Sequence, residues 1–588
     1  MFSLSFQLVV LLAAVVVVLN KVRSSTSSPT ASSKSGGNGG AVLPPGPKPV
    51  PLLGNILDLT PKELWLRATS WAKVYGDITY LHVFGQPLVF LNTPRAVFDL
   101  LDKRGGVYAD KPHLTMVNDL CGCNDMVAFT GYGAQSKRQR RLMNMAFAST
   151  RIPTYFPLIT RETHFFIRRL LAPKPPTMSQ DESQKFYLPL LRRYAGQLTL
   201  NVVYGYKVES NDDPFINLAE ECVDILSNKI ASGGGIWPVD ILPQLRYMPE
   251  WMPGSGFLQK ARTWKAKMEE FVDRPYNFVK HQMKSNTHAS SFCSTLLENA
   301  ESNPNNASAD NVSDKLSLSS QFEYDLKWTA NSMYSASLDT TVTTIQYFLL
   351  MMAKNPAVHA KARAEIDSIV PHGSRLPTFS DRPNLPYCEA LFSEVLRHNA
   401  GVPMALPHRL MEDDFFVNPT TGKETYLKKG SLIFANIYNI TRDPMLWPAP
   451  ESMPHVTPED FCPERHLLSP PEKALLANPS MDPVAFDALK ARRRERDPRT
   501  YVFGFGRRQC PGQNLVYSSA WLVIVTLLAT VDWSFSDNGR GEAGRKEEES
   551  KVAFENAVFR QPTNFRLDVR PRSEATMSLI GQEEEDDD

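Results

Sequence analysis

Residues 503–512, FGFGRRQCPG, place a single cysteine in a loop punctuated by glycines. Glycine at 506 and 512 permits backbone conformations and close approaches that a Cβ would block. Phe503 can cover the sulfur, and Arg508 lowers the local cost of a thiolate. A lone cysteine is usually a small buried hydrophobic residue, but this context instead favours a shielded thiolate that binds a metal at Cys510.

This stretch resembles the haem loop of the cytochromes P450, F-x-x-G-x-R-x-C-x-G. The resemblance implies that Cys510 is the thiolate ligand to the iron of haem b and that Arg508 pairs with a haem propionate. It also implies that Phe503 shields the sulfur and that Gly512 lets the cofactor approach. The similarity covers about residues 43–570, and its pattern is that of fungal membrane-bound members.

A second motif, Glu394-Val395-Leu396-Arg397, puts a carboxylate and a guanidinium on one face of a helix. Its neighbours are apolar, which favours burial, and a buried ion pair needs a further partner. Arg465 is the candidate. The two segments resemble the E-x-x-R and P-E-R elements of the family, and the resemblance implies a Glu394–Arg397–Arg465 network that fixes the fold around the haem loop.

Asp339 and Thr340 lie inside a mostly apolar stretch, 327–352, which predicts a long helix. Such a pair is locally unfavourable there, because both side chains compete for backbone hydrogen bonds. The segment 336–341 resembles the A-G-x-D-T-T motif of the family. The resemblance implies that Thr340 assists dioxygen activation and that Asp339 relays protons. Ser337 replaces the usual glycine, and its hydroxyl can bond to a carbonyl and open the turn.

The haem propionates need cationic partners. The resemblance assigns Arg140 to an arginine that contacts a propionate, and Lys137 is a further candidate. Ser136 stands where the family has a tryptophan, so one contact is missing. His408 belongs to a P-H-R element whose histidine reaches a propionate.

Charge and cysteine content exclude some classes of protein. The chain carries 64 basic and 63 acidic side chains, a formal net charge of +1, which gives no argument for a nucleic-acid partner. Seven cysteines at irregular spacing do not form a disulfide framework, and they indicate a reducing compartment.

The N-terminus predicts a membrane anchor over residues 1–20. Residues 2–19 are nearly all apolar, and as a helix they would span roughly 27 Å, close to the thickness of a bilayer core. Lys21 and Arg23 follow, and basic flanks stay in the cytosol. We predict a single-pass protein of the endoplasmic reticulum membrane whose catalytic domain faces the cytosol. A cleaved signal peptide is the alternative, but a basic leading segment is missing.

Helical patterns dominate the remainder, among them an amphipathic one at 386–398, and strand patterns are short, as at 432–436. We predict a mainly α fold with a small β-sheet region (α+β), and the resemblance implies the cytochrome P450 fold. A flexible Ser/Gly linker at 21–42 precedes one haem domain at 43–570, and an acidic disordered tail follows at 571–588. A loop that dips into lipid is predicted from the aromatic residues of 247–253, YMPEWMP, and from Trp237. The alternative is that these aromatic side chains belong to the hydrophobic core.

The resemblance implies a monooxygenase that inserts one oxygen atom from O2 into a lipophilic small molecule, in fungal secondary-metabolite, lipid or xenobiotic metabolism. The sequence has no strand followed by G-x-G-x-x-G, so electrons must come from a separate protein. The implied donor is NADPH-cytochrome P450 reductase, with cytochrome b5 as a second donor. The alternatives are a haem-thiolate isomerase, dehydratase or peroxygenase, and a haem-binding sensor without turnover. Asp339 and Thr340 favour the monooxygenase, because the alternatives need no such pair.

Overall fold

The computed structural model describes residues 42–59, 63–173, 179, 182, 185–210, 212–230, 237–302, 312–418, 421–555 and 558–582. The predicted anchor and, apart from Val42, the predicted linker lie outside these residues. So do the last six residues of the predicted acidic tail, 583–588.

Helices fill most of the described chain, and those of eight residues or more are numbered here in chain order. They are α1 Leu64–Tyr75, α2 Ala134–Phe147, α3 Phe156–Leu171, α4 Tyr187–Tyr204, α5 Pro214–Asp224, α6 Gly256–Lys284, α7 Phe292–Ser302, α8 Val312–Lys354, α9 Pro356–Ile369, α10 Pro386–His398, α11 Pro470–Ala477, α12 Pro483–Glu495, α13 Gln513–Thr530, α14 Gly541–Ser550 and α15 Glu574–Gln582. Shorter α-helical segments are Pro94–Val97, Gly105–Tyr108, Pro238–Ile241, Ile437–Ile440 and Arg499–Val502, and a π-helical turn spans Thr115–Leu120.

The strands are few and short. They are β1 Ile78–Val83, β2 Gln86–Leu91, β3 His408–Arg409, β4 Asp414–Val417, β5 Glu424–Leu427, β6 Leu432–Ala435, β7 Val531–Phe535, β8 Ala553–Glu555, β9 Gln561–Thr563 and β10 Leu567–Pro571. One sheet has the order β1-β2-β6-β3, in which β2 and β6 are parallel, and three antiparallel pairs join β10 to β7, β4 to β5 and β8 to β9. The predicted mainly α architecture with small sheets is confirmed.

Helix α8 is the central element of the fold. It runs for 43 residues without a proline or glycine and contains the predicted stretch 327–352. It begins at Val312, so the polar segment just before that stretch, which the sequence favours as a surface loop up to residue 320, is helical from residue 312. It packs against α4, α2 and α13. Because α13 begins immediately after the loop of Cys510, this packing brings α8 to the same part of the molecule as that loop.

Helix α13 is a core helix. Among the described residues it is the one helix long and apolar enough to cross a membrane, but 67% of it is buried inside the protein. Trp521, Leu522 and Ile524 are fully buried. Its apolar character is therefore explained by packing against α8, α3 and α9.

The C-terminal segment differs from the predicted disordered tail. Residues 574–582 form α15, and Ile580 is only 3% exposed. The Nε of Arg168 on α3 donates to the carbonyl oxygen of Ile580 at 3.3 Å. The prediction was therefore wrong for α15, because this segment contains one charged residue, Glu574, and its apolar residues, among them Leu579 and Ile580, are enough to dock one short helix.

Candidate active site

The loop around Cys510 is closed by backbone contacts. The backbone N–H of Cys510 donates to the carbonyl oxygen of Phe503 at 2.7 Å. Gly506 has φ +53°, and a Cβ there would lie 2.2 Å from the carbonyl oxygen of Leu101, so glycine is required. A Cβ at Gly512 would meet no protein atom within 4 Å. Packing within the polypeptide therefore explains why residue 506 is a glycine, but it does not explain the glycine at 512.

The surroundings of the Cys510 sulfur both oppose and favour a thiolate. Burial raises the pKa of the thiol, while the backbone N–H groups of Gly512 and Gln513 and the guanidinium of Arg140 lower it. The two N–H groups belong to the first turn of α13, where helices stabilise negative charge. A cation bound to the sulfur would lower the pKa of the thiol further and would therefore favour the thiolate.

Arg508 is held by three carbonyl oxygens of one chain segment. Its Nε donates to Ala109 at 2.7 Å, its Nη2 to Thr130 at 2.7 Å and its Nη1 to Val127 at 3.3 Å. Burial, together with the charge of Arg140, lowers the pKa of Arg508 to about 10. This arginine is therefore a cation with neutral acceptors, placed two residues from Cys510.

Lys111 and His408 complete a cluster of basic side chains with Arg508 and Arg140. Lys111 is 7% exposed, and its Nζ donates to the carbonyl oxygens of Leu406 and Pro407, both at 3.1 Å. Burial, Arg508 and Arg140 hold the pKa of Lys111 well below its ordinary value. Burial and Lys111 do the same to the pKa of His408.

A dianionic group fits this cluster. Asp110 is the carboxylate that opposes Lys111 and Arg508, and it is also engaged by the backbone N–H of Tyr132 at 2.8 Å. A buried excess of positive charge is unfavourable unless an anion compensates it. The two propionates of haem b supply two negative charges, and Cys510 supplies the thiolate, so the residues present fit this cofactor.

Lys137, the further predicted cation, lies apart from this cluster, whereas Arg140 on the same helix belongs to it. Lys137 is exposed, and its Nζ lies 5.2 Å from the ring centroid of Tyr132. Ser136, at the tryptophan position of the family, is 1% exposed and caps α2 by accepting from the backbone N–H of Gly133 at 3.1 Å. Arg140 turns inward on the same helix and donates to the carbonyl oxygen of Gln509.

Asp339 and Thr340 lie on α8. The Thr340 hydroxyl donates to the carbonyl oxygen of Ala336 at 3.0 Å. Ser337 donates to the carbonyl oxygen of Tyr334 at 2.9 Å, the back-bonding expected of a serine at this position. Burial raises the pKa of Asp339 to about 6, while Arg192 lowers it. The carboxyl group can therefore exchange a proton near neutral pH.

Val127 connects the oxygen motif to the cysteine loop. Its carbonyl oxygen accepts from Arg508, and its backbone N–H donates to the Ser332 hydroxyl on α8 at 3.0 Å. Ser332 lies two helical turns before Asp339. The segment of Val127 therefore fixes α8 relative to the cation cluster.

The predicted network around Glu394 is present. Both side chains of the pair Glu394–Arg397 are 0% exposed, and their two hydrogen bonds are 2.7 and 2.8 Å long. Arg465 Nε donates to Glu394 Oε1 at 3.2 Å. Burial raises the pKa of Glu394, but Arg397 and His466 together hold it well below its ordinary value.

Two members of these clusters were missed by the sequence reasoning. His466 Nε2 lies 2.8 Å from Glu394 Oε2, and a lone histidine next to Arg465 gave no signal of this contact. Lys111 is a single lysine in a loop, and its burial depends on segments more than 290 residues away in the chain. Such contacts are visible only in the folded protein.

Comparisons with known proteins agree with this site. A family model described as Cytochrome P450 matches residues 44–554. Cytochrome P450 monooxygenase claT of Ampulloclitocybe clavipes is 35% identical over 92% of this chain and 93% of its own length. Cytochrome P450 monooxygenase 226 of Postia placenta is 32% identical over 92% of this chain and 90% of its own length. The chain belongs to the cytochrome P450 family and is a haem-thiolate monooxygenase.

Proposed function

We propose that this protein inserts one oxygen atom from O2 into a C–H or C=C bond of a lipophilic small molecule of fungal secondary metabolism. The cluster of Cys510 with Lys111, Arg140 and Arg508 is the observation that carries the proposal. Haem b, bound to these residues, supplies the activation of O2. The apolar core that surrounds α8 favours a substrate that leaves water readily, such as a terpenoid, polyketide, fatty acyl or aromatic compound.

The residues of the chain have distinct roles in this proposal. Lys111, Arg140, Arg508 and His408 bind the propionates and orient the cofactor. Phe503 and Gly512 remain predicted contacts of the cofactor, and Lys137 remains a predicted peripheral cation. Asp339 holds a proton on its carboxyl oxygen and releases it toward the Thr340 hydroxyl. These steps deliver protons without admitting bulk water.

Removing the Thr340 hydroxyl should separate electron consumption from product formation. In Thr340→Ala we expect product formed per NADPH to fall by about tenfold or more, because a positioned proton donor is lost. The reduced oxygen should leave as hydrogen peroxide. The measurement is NADPH oxidation, peroxide and product in the same reductase-supported assay.

Two controls accompany this measurement. Thr340→Ser keeps the hydroxyl and should stay coupled. Thr344→Ala removes a hydroxyl one turn further on, which donates to the carbonyl oxygen of Thr340 at 2.9 Å, and it should also stay coupled. Wild-type coupling in Thr340→Ala would show that the hydroxyl has no part in proton delivery.

The electron donor in this proposal is a membrane-bound NADPH-cytochrome P450 reductase, with cytochrome b5 as a second donor. Residues 1–20 would anchor the protein in the endoplasmic reticulum membrane with the haem domain in the cytosol. The experiment that tests the function uses microsomes that contain the protein and its reductase. Substrate-dependent NADPH consumption with an oxygenated product supports the proposal, and product formation without NADPH or reductase would contradict it.

A surface loop supports contact with the membrane. Trp251 is 80% exposed and Tyr247 is 74% exposed, so neither is a core residue. Trp237 instead packs edge-on against Trp264, with ring centroids 5.9 Å apart. We therefore place Trp251 and Tyr247, but not Trp237, in the headgroup layer, where aromatic residues are favoured.

Trp251 should be quenched by lipid. In vesicles that contain the full-length protein, brominated lipids should quench a tryptophan component that is missing from Trp251→Phe. Aqueous iodide should leave that component largely unquenched. The opposite pattern, with quenching by iodide and not by brominated lipid, would place this loop in water.

A further inference from the structure

Tyr132 lies at the edge of the cluster around Arg508. Its backbone N–H donates to Asp110 Oδ1 at 2.8 Å, and the carbonyl oxygen of the preceding residue, Ala109, accepts from Arg508 at 2.7 Å. Two positions before Tyr132, the carbonyl oxygen of Thr130 also accepts from Arg508 at 2.7 Å. The backbone of Tyr132 is therefore fixed next to the group of residues that fits the haem propionates.

The side chain of Tyr132 is held in place as well. Arg507 Nη1 donates to the Tyr132 hydroxyl oxygen. The guanidinium carbon of Arg507 lies 5.5 Å from the centroid of the phenol ring, and Lys137 Nζ lies 5.2 Å from it, distances at which a cation attracts an aromatic ring. Arg507 and Lys137 are exposed, whereas Tyr132 is half-buried. Two surface cations therefore hold the ring at the outer edge of the cluster.

The Tyr132 hydroxyl has one hydrogen to donate. Its oxygen accepts from Arg507, and within the described part of the chain no acceptor for its hydrogen is in contact. The same group acts electrostatically on Arg508, whose pKa it opposes lowering. Because Arg508 is a cation bonded to neutral carbonyl oxygens, it attracts an anion. An anion drawn to Arg508 would therefore approach a hydroxyl donor that has no other acceptor.

The other polar side chains of residues 130–136 already have acceptors within the protein. The Thr130 hydroxyl donates to a backbone carbonyl oxygen at 2.9 Å, and the Ser136 hydroxyl donates to another at 3.1 Å. Gln135 Nε2 donates to a carboxylate oxygen at 2.7 Å. Tyr132 is therefore the hydroxyl of this segment whose hydrogen remains available to a ligand.

We propose that Tyr132 is a further cofactor-binding residue, whose hydroxyl donates to the haem propionate that Arg508 attracts, and that Arg507 is the positioning residue that holds this hydroxyl. The proposal rests on the haem assignment made under the proposed function. That assignment fails if the wild type shows no thiolate-type spectrum. The contact of Tyr132 is tested by comparing variants with a wild type that does show it, so the two failures are distinguishable.

Transfer of haem from the full-length holoprotein to excess apomyoglobin tests the contact. Tyr132→Phe keeps the ring between its two cations and removes only the hydroxyl. We expect haem to leave this variant about tenfold faster than the wild type, because a hydrogen bond to a charged group is lost. Thermal unfolding of the polypeptide, followed by circular dichroism, should be unchanged, which separates cofactor binding from a purely structural role.

Arg507 variants test the positioning role. Arg507→Gln should also speed haem release, whereas Arg507→Lys keeps a charged donor and should restore most of the wild-type retention. If Arg507 acts through the hydroxyl, the double variant Tyr132→Phe with Arg507→Gln should release haem no more than about twofold faster than Tyr132→Phe alone. Fully additive effects in the double variant would overturn the role of Arg507.

A tyrosine elsewhere in the molecule supplies the matched control. The Tyr206 hydroxyl donates to Asp213 Oδ2 at 2.8 Å, and its ring packs against Phe215 and Phe278, so Tyr206→Phe removes a similar charged hydrogen bond away from the cysteine loop. This variant should release haem at the wild-type rate. Wild-type release in Tyr132→Phe, or equal acceleration in Tyr206→Phe, overturns the proposal.

Discussion

Glu394→Gln is expected to lower the free energy of unfolding by about 3–5 kcal/mol, because breaking a buried ion pair leaves uncompensated charge. Arg397 is 0% exposed and Arg465 is 2% exposed, so neither guanidinium can turn to solvent. The backbone N–H of Cys462 would also lose a charged acceptor, now 2.8 Å away. Urea unfolding monitored by circular dichroism gives the measurement.

A second ion pair in the same region supplies the control. Arg442 Nε lies 2.8 Å from Glu459 Oε2, but the Glu459 side chain is 66% exposed. Arg442 is itself 5% exposed, but it also donates to the carbonyl oxygen of His398 at 2.9 Å, so Glu459→Gln should cost clearly less than Glu394→Gln. If the two glutamine variants unfold at the same urea concentration, burial of the Glu394 network does not stabilise the protein as we describe.

Cys510→Ala is expected to abolish thiolate ligation while the polypeptide still folds. The loop is closed by the backbone N–H of Cys510 and the carbonyl oxygen of Phe503, a hydrogen bond that alanine retains. The cluster of Lys111, Arg140 and Arg508 is also retained and should still attract the propionates. We therefore expect a folded protein that binds haem weakly and has no monooxygenase activity.

A buried cysteine elsewhere provides the comparison. Cys293 is 0% exposed, and Cys293→Ala should lose some stability through the cavity it creates, with its haem spectrum unchanged. A thiolate-type spectrum in Cys510→Ala, or its loss in Cys293→Ala, would show that the ligand has been assigned to the wrong residue.

Local sequence patterns predicted those helices and strands whose apolar or amphipathic pattern runs without interruption. The apolar stretch predicted α8 from 327 to 352, without its first 15 residues, and α10 has the predicted bounds, Pro386–His398. Strand β6 ends at Ala435, one residue before the predicted end, because Asn436 caps the next helix by accepting from the backbone N–H of Asn439. The alternation of apolar residues cannot show whether such a residue extends the strand or caps the following helix.

Contacts between distant segments were beyond sequence reasoning. Met116 and Asp240 are 124 residues apart, and His466 is 72 residues from Glu394. Neither pair carries a spacing that predicts its contact. The Glu394–Arg397–Arg465 network was predictable because a family resemblance supplied the pairing, whereas the burial of Lys111 required the fold itself.

The most direct test of the account is the spectrum of the purified wild-type protein after reduction and binding of carbon monoxide. An anionic sulfur ligand from Cys510 predicts the red-shifted Soret band that distinguishes thiolate-bound haem from haem bound by histidine. A histidine-type band in a folded, active preparation, or failure of the full-length protein to bind haem when it is abundant, would contradict the assignment of Cys510.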